Sequence, residues 1–234
     1  MYSFNTRIRY SETDETQKLT LEGLLNYFQD CTTFHSEDLG LGVDYLRETK
    51  QAWVLNVWQI DVERFPKMGE RVKVCTAPYD FRGFMGSRNF WMEDEEGNAI
   101  AKANTLWTLL DLEKQRPVQP PQIMLDRYEL GEKIDMEYLP RKIALPGEGE
   151  ARPEIQVMRH HLDTNHHVNN GQYVKMAMEL MPENVCVKRL RVEYKKQAFL
   201  DDVLYPLYYE ADNKYIVSLN DPEGKPYSVV EISY

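Results

Sequence analysis

The strongest constraint on the fold of this chain is that its sequence contains the same order of segments twice. Three pairs of segments match: residues 14–20 with 163–169, 60–63 with 190–193, and 94–97 with 221–224. The first pair precedes an amphipathic run in each copy, and the last pair has the composition of a turn. The chain is therefore predicted to build two similar units, of which the second is shorter.

Each copy is predicted to contain a short strand, one helix and then several strands. The helical stripes are Leu21, Leu24, Leu25, Phe28, Cys31 and His35 in the first copy, and Tyr173, Val174, Ala177, Leu180 and Met181 in the second. Alternating apolar and polar residues follow both stripes, which is typical of half-buried strands. Because the strands cluster after one helix, we predict an α+β fold with a mainly antiparallel sheet.

The region between the copies is rich in proline. Residues 117–153 hold six of the twelve prolines, which favours extended structure and turns. We therefore predict an N-terminal repeat over residues 1–115, a linker over 116–152 and a C-terminal repeat over 153–234.

Charge and cysteine content limit the classes of function. The net charge of −10 disfavours binding to nucleic acid or an anionic membrane, because both attract a positive field. No apolar run reaches membrane-spanning length, and the first residues lack the apolar core of a signal peptide. The three cysteines are far apart, as expected in a reducing compartment. A cytoplasmic protein is predicted.

Residues 162–170 carry the densest set of reactive side chains. Asp163, Asn165 and His167 alternate, so in an extended segment all three would point to one side. A helix is predicted to start near Asn170, and its unpaired N–H groups could hold an oxyanion. The segment is therefore predicted to be an active site.

Two other interpretations of this segment remain open. Asn169 or Asn170 could serve only as a helix N-cap. Four of the five histidines lie at positions 160, 161, 166 and 167, which raises the possibility of a metal site. Adjacent histidines in an extended segment face opposite ways, and no cysteine lies nearby to complete a zinc set. We therefore expect no metal.

A family resemblance rests on several ordered blocks of residues. They are residues 162–170 with Tyr173, Glu179 and Pro182, then 192–196, and in the first copy 62–70 and 103–107. With these blocks the chain resembles the acyl-acyl carrier protein (acyl-ACP) thioesterases of bacteria and plant plastids. The resemblance implies a tandem hotdog fold, in which each repeat is a long helix wrapped by a mainly antiparallel sheet.

The resemblance also implies catalytic roles for Asp163, Asn165 and His167, and no cofactor. Asp163 would be the base for water, or a direct nucleophile, and His167 would hydrogen-bond the water or protonate the leaving thiolate. Asn165 would position the substrate or the water, with Asn170 and Gln197 in support. Plant members carry Glu-Cys where this chain has Gln197 and Ala198. A cysteine mechanism from that position is thus excluded.

The first copy is predicted to have lost the chemistry and to supply an acyl pocket. It carries Asp14, Thr16 and Lys18 where the second copy has the three catalytic candidates. Candidate pocket residues are Trp53, Leu55, Val57 and Trp58, although the same residues would also suit an ordinary core.

The expected reaction is hydrolysis of fatty acyl-ACP, which releases free fatty acid and terminates fatty acid synthesis. The alternatives are an acyl-CoA thioesterase, a non-catalytic acyl-carrier binder and a hotdog dehydratase. Carrier proteins are acidic, so a local basic cluster is expected to dock them: Lys188, Arg189, Arg191, Lys195 and Lys196. Two fused repeats are compatible with a monomer or a homodimer.

Overall fold

The computed structural model describes residues 1–183 and 185–234 and divides into two compact units. The first comprises Met1–Asn56 and Ile60–Tyr138, and the second comprises Val57–Gln59 and Leu139–Tyr234. The division falls inside the segment that the sequence predicts to be a linker.

Segment 116–152 is part of the two units and not a separate linker. Met124 and Tyr128 are buried in the first unit, and Ile143 is buried in the second. The physical reason is that this proline-rich segment also carries apolar side chains, which gain free energy by packing on a neighbouring core.

The first unit contains the first long helix and an antiparallel sheet. Its elements are β1 (Tyr2–Arg7), α1 (Leu21–Asp38), α2 (Val43–Glu48), β2 (Gln51–Val62, except Val57–Gln59), β3 (Arg71–Arg82), β4 (Met85–Glu93), β5 (Ala99–Asp111), β6 (Arg116–Pro117) and α3 (Gln122–Arg127). The strands lie in the order β1-β3-β4-β5-β2, with β6 beside β5. Helix α1 packs against β1 and β3.

The second unit has a similar plan with fewer long strands. Its elements are β7 (Glu150–Ala151), β8 (Ile155–Gln156), α4 (Asn170–Met178), β9 (Arg189–Tyr194), β10 (Val203–Ala211), β11 (Lys214–Asn220) and β12 (Pro226–Ser233). The strand order is β9-β12-β11-β10-β7, with β8 also beside β10, and these pairings are antiparallel. Helix α4 packs against β11 and β12. No helix among the described residues has the length and apolar character to span a membrane.

The predicted helical stripes are the buried faces of α1 and α4. All six stripe residues of α1 are buried, and Thr20 caps the helix by accepting a hydrogen bond from the Gly23 N–H. In α4 the stripe is shorter than predicted, since the helix ends at Met178 and leaves Leu180 and Met181 beyond it. The predicted α+β class with antiparallel sheets is confirmed.

The matched turns at residues 94–97 and 221–224 confirm the repeat. The Asp94 N–H donates to the Asn98 carbonyl at 3.0 Å, and the Asp221 N–H donates to the Lys225 carbonyl at 2.9 Å. Each turn has a glycine in the left-handed region, with φ of +81° at Gly97 and +76° at Gly224. A side chain would be strained at these positions, so the same left-handed backbone conformation explains why glycine occurs at both.

We expect Phe28→Ala to lower the free energy of unfolding by about 3–5 kcal/mol, because Phe28 is fully buried on α1 and packs on Phe90 at 5.4 Å between ring centroids. Phe34→Ala on the same helix is the matched control. Its side chain is 45% exposed, so a loss of about 1 kcal/mol or less is expected. Urea denaturation of both variants checks this, and equal losses would contradict the assigned helix face.

Candidate active site

Residues 163–167 form a tight turn between a short 3₁₀ helix, Arg159–His161, and α4. The Asp163 N–H donates to the His167 carbonyl at 2.9 Å, and the His166 N–H donates to the Asp163 carbonyl at 3.1 Å. His166 has a φ of +64°, and Leu162 pairs with Val168 across the turn. The expectation of an extended segment, with three side chains on one side, is therefore wrong.

The cause of this turn is the carboxylate of Asp163. Its Oδ1 atom accepts a hydrogen bond from the Asn165 N–H at 2.7 Å. Short polar side chains that bond the backbone two residues ahead compete with extended structure and favour turns. The alternation of polar residues suggested a strand, but this local hydrogen bond decides the conformation.

The turn brings the side chains of Asp163 and His167 together. His167 Nδ1 lies 3.5 Å from Asp163 Oδ2, and the two side chains are 22% and 21% exposed. Nδ1 is buried and has no hydrogen-bond partner among the described residues. A separation of 3.5 Å is longer than a normal hydrogen bond, so the carboxylate orients the ring mainly by electrostatic attraction. Nε2, on the other side of the ring, is then the nitrogen that can meet a reactant.

Asn165 lies in the same turn, but its side chain is exposed to solvent. Its backbone N–H, and not its carboxamide, donates the hydrogen bond to Asp163. The structure thus brings Asp163 and His167 together and leaves the Asn165 carboxamide available to a ligand.

A second segment, residues 197–202, lies against the turn. The Val168 N–H donates to the Ala198 carbonyl at 2.9 Å, and the Tyr173 hydroxyl accepts from the Ala198 N–H at 2.9 Å. The half-exposed Phe199 ring meets the His167 ring edge-on, with centroids 6.5 Å apart. Gln197 is exposed and immediately precedes Ala198. Sequence reasoning missed Phe199, because nothing local connects it to a histidine over thirty positions earlier.

Asn169 caps helix α4, which confirms one of the two N-cap interpretations. Its side-chain oxygen accepts from the Gly171 N–H at 2.8 Å, and its carbonyl accepts from the Gln172 N–H at 2.9 Å. These two N–H groups are therefore occupied, which removes them from the expected oxyanion site. The Asn170 carbonyl accepts from the Tyr194 hydroxyl at 2.9 Å, so this backbone group has a structural role.

The first copy makes the same turn with different side chains. The Asp14 N–H donates to the Lys18 carbonyl at 2.8 Å, and Asp14 Oδ1 accepts from the Thr16 N–H at 2.8 Å. Gln17 has a φ of +64°, the same value as His166. Lys18 thus occupies the position of His167 in an equivalent backbone.

The adjacent histidines do not form a metal site in the described part of the chain. Nδ1 of His161 accepts from the Met158 N–H at 2.9 Å, and the His160 and His161 rings pack at 4.1 Å between centroids. No group of three or more potential ligands (His, Cys, Asp or Glu) is arranged to hold a metal ion among the described residues.

A cavity of about 150 Å³ lies in the first unit. Trp53 lines it, together with Phe81, Trp107 and Tyr128. The other three pocket candidates, Leu55, Val57 and Trp58, are buried and do not line this cavity. Their positions on β2 suit an ordinary core.

The structure divides the basic cluster that the sequence predicts. Arg191 is buried and paired with Glu231 at 3.0 Å, so it is not available to a partner. Lys188 is exposed and Arg189 is partly exposed at the start of β9, whereas Lys195 and Lys196 are exposed just beyond its end. A strand rises about 3.3 Å per residue, so Lys188 and Lys195 lie on the order of 20 Å apart. Lys195 and Lys196 directly precede segment 197–202, which lies against the turn that contains His167.

Two family models match the chain. The model of the acyl-ACP thioesterase N-terminal domain matches residues 1–128, and that of the C-terminal domain matches residues 146–221. Each model covers one repeat, which agrees with the division into two units.

Among proteins, the chain is 26% identical over 215 residues to the chloroplastic acyl-[acyl-carrier-protein] hydrolase FATB1 of Cuphea viscosissima, covering 84% of the chain and 51% of that protein. It is 24% identical to a chloroplastic palmitoyl-acyl carrier protein thioesterase of Gossypium hirsutum, covering 91% of the chain and 56% of that protein. The chain thus spans about half the length of the curated relatives it matches.

Among solved structures, an acyl-ACP thioesterase from Bacteroides thetaiotaomicron has a TM-score of 0.91 at 22% identity, covering 99% of this chain and 96% of that one. The 12:0-ACP thioesterase from Umbellularia californica has a TM-score of 0.85 at 20% identity, with the same coverage. These likenesses confirm the tandem hotdog fold.

The cysteines differ in their availability for chemistry. Cys31 and Cys75 are buried, whereas Cys186 is exposed. Burial raises the pKa of Cys31 to about 12 and that of Cys75 to about 11. The thiolate is the nucleophilic form, so neither buried thiol is ionised near neutral pH.

We expect a thiol-specific reagent to label the native protein rapidly at Cys186 alone. Raising the pH from 7 to 9 should not add a second fast site, because both buried thiols stay protonated below their raised pKa values. Mass spectrometry of the labelled protein measures this, with the denatured protein as the control that takes up three labels. Two fast labels in the native state would contradict the burial.

Proposed function

The chain belongs to the acyl-ACP thioesterase family, and we propose that it hydrolyses fatty acyl-ACP thioesters, releasing free fatty acid and terminating fatty acid synthesis. The observation that carries this proposal is the Asp163–His167 pair. The first copy forms the same turn but has Lys18 at the position of the histidine. Both copies form the turn, so the fold does not require histidine at position 167. The imidazole is therefore best explained by a reaction.

His167 is proposed as the base that activates water. With Nδ1 facing Asp163, Nε2 can take a proton as the water oxygen attacks the thioester carbonyl. The resulting imidazolium is stabilised by the carboxylate, whose other oxygen is held by the Asn165 N–H. This geometry favours Asp163 as the orienting group over its roles as direct base or nucleophile.

Collapse of the tetrahedral intermediate breaks the carbon–sulfur bond. The proton on His167 Nε2 passes to the leaving sulfur, which gives a free thiol and a carboxylic acid. The exposed carboxamide of Asn165 is proposed to donate to the carbonyl oxygen while its charge grows, a contact of the kind worth on the order of 3 kcal/mol. Gln197 is exposed beside this segment and can orient the water, but it cannot accept a proton at neutral pH.

The fatty acyl chain is proposed to occupy the first unit, whose matching turn carries Lys18 in place of His167. Its cavity is walled by aromatic rings, including Trp53, and such surfaces gain about 0.8 kcal/mol for each methylene that they bury. The proposed partner is an acyl carrier protein that bears this chain.

We expect Asp163→Asn and His167→Ala each to lower kcat for acyl-ACP hydrolysis by about 10²–10⁴-fold, since each removes part of the proton-transfer pair. Asparagine can still accept the Asn165 N–H, so the turn should persist. The matched controls are Asp14→Asn and Lys18→Ala, which change the equivalent turn of the first copy. Turnover is measured by thiol release, alongside the melting temperature.

Near-normal turnover in Asp163→Asn or His167→Ala, with an unchanged melting temperature, would show that the substituted residue is not needed for the reaction. An equal loss of turnover in the first-copy controls would show that the effect is not specific to the Asp163–His167 pair. Parallel assays with acyl-CoA decide between the two carriers of the thioester, and faster turnover of acyl-CoA would reassign the substrate.

Carrier docking has to overcome the net charge of −10, because an acidic carrier is repelled at long range. We expect the double variant Lys195→Gln, Lys196→Gln to raise KM for acyl-ACP several-fold and to leave KM for a short acyl-CoA nearly unchanged. Neutral glutamine is used because Lys195 pairs with Glu193, and Lys196 with Asp221, so reversed charges would repel both carboxylates.

Lys188→Gln, at the far end of β9, is the control and should leave KM unchanged. Added salt should weaken wild-type docking in the same direction, because exposed charges are screened beyond about 10 Å at 0.1 M. If neither the double variant nor salt changes KM for acyl-ACP, the carrier docks on another surface.

A further inference from the structure

The first unit contains a buried arginine that lacks a carboxylate partner. Arg88, on β4, is 7% exposed and lines the cavity described above. Its Nη1 atom lies 3.0 Å from His35 Nδ1 and 3.2 Å from Thr76 Oγ1, and its guanidinium lies 5.4 Å from the Tyr128 ring centroid. No ion pair between Arg88 and a carboxylate occurs among the described residues.

The charge on this guanidinium is therefore uncompensated. Burial lowers the pKa of Arg88 to about 10, so the group still carries its proton at neutral pH. Burial and the charge of Arg88 lower the pKa of His35 to about 4, which leaves His35 neutral and able to accept the hydrogen bond. A buried cation without an anion is costly, and an anionic ligand would offset that cost.

The cavity has a polar end and an apolar wall. The hydroxyl groups of Ser36 and Tyr128, which lie 2.7 Å apart, line it together with Arg88. The wall continues through Phe81, whose ring centroid is 6.0 Å from that of Tyr128, to Trp53 at 6.1 Å from Phe81. A ligand that matches the polar end and the apolar wall of this cavity carries a negative group at one end and an alkyl chain at the other.

Glu37 also lines the cavity and is the one carboxylate among the residues that do so. Its Oε1 atom accepts from the Val43 N–H at 2.8 Å, and the residue is exposed. It caps the start of α2 and leaves the guanidinium without a counterion.

We propose that this cavity binds an alkyl carboxylate, with the carboxylate on the Arg88 guanidinium and the alkyl chain along Phe81 and Trp53. An arginine can bind a carboxylate through two parallel hydrogen bonds, which selects it over an alcohol of the same length. A cavity of about 150 Å³ holds a group the size of benzene, so the carboxylate end enters and the rest of the chain lies toward the mouth.

Binding of an alkyl carboxylate in the first unit is separate from the proposed hydrolysis, because the ligand binds there without reacting. The same chemistry has two sources: a free fatty acid, or the far end of an acyl chain that carries a second carboxylate. A free fatty acid would be the product of the proposed reaction, and its binding would make this cavity a site of product inhibition.

The test is calorimetric titration of the full chain with octanoate, octan-1-ol and monomethyl suberate at neutral pH. Octanoate should bind at least about tenfold more tightly than octanol, as expected for a charge-assisted hydrogen bond. Weaker binding of monomethyl suberate than of octanoate identifies a free fatty acid as the source. Equal or tighter binding identifies the far end of a dicarboxylic chain.

Arg88→Met should remove the preference for octanoate, whereas Arg88→Lys keeps a positive charge and should retain part of it. Gly86→Ala is the matched variant for the apolar wall. A Cβ there would lie 3.1 Å from Phe81 and 3.3 Å from Trp53, so it should weaken octanoate and octanol alike. Repeating the titration with the Asp163→Asn variant tests binding to this cavity independently of the proposed hydrolysis. Octanoate binding should persist in this variant although turnover is lost.

Equal affinity for octanoate and octanol in the wild type would overturn the proposal, and so would the absence of octanoate binding at millimolar concentration. Both results come from the unmodified protein, so they stand even if Arg88→Met fails to fold. A folded Arg88→Met variant that keeps wild-type affinity for octanoate would also overturn it.

Discussion

A carboxylate that accepts backbone N–H groups within its own turn is the interaction on which both units depend. Asp14 Oδ1 accepts from the N–H groups of Thr16 and Lys18, and Asp163 Oδ1 accepts from that of Asn165. In each copy this bond reverses the chain directly before the N-cap of the long helix. The helix then starts at a fixed point, and its apolar face meets the sheet.

The same carboxylate links the fold to the proposed chemistry. In the second copy one oxygen of Asp163 holds the turn and the other faces His167. The pair therefore needs no long-range contact to form, because five consecutive residues set its geometry. The first copy keeps the turn and places Lys18 at the histidine position, which shows that the structural and the reactive parts of the motif can be separated.

The two units place their histidines in different environments. The first unit encloses Arg88 and a neutral His35 beside an aromatic cavity, and the second places its imidazole in a partly exposed turn. A buried charge without a counterion costs stability, and this cost is the physical basis of the anion site proposed above. The first copy thus has Lys18 at the position of His167 and encloses a cavity lined by a buried cation.

Local sequence patterns were enough to predict the repeat, the antiparallel α+β class and the buried stripe of α1, because periodicity and turn chemistry are local properties. The sequence also selected Asp163 and His167 as candidates, and the structure brings these two side chains together, although in a turn and not in an extended segment. Long-range packing sets three other features: Phe199 packs on His167, Arg191 is buried against Glu231, and Arg88 lines a cavity. Each of these depends on which distant strands pair, and residues far apart in the chain carry no local signal of the partner they will meet.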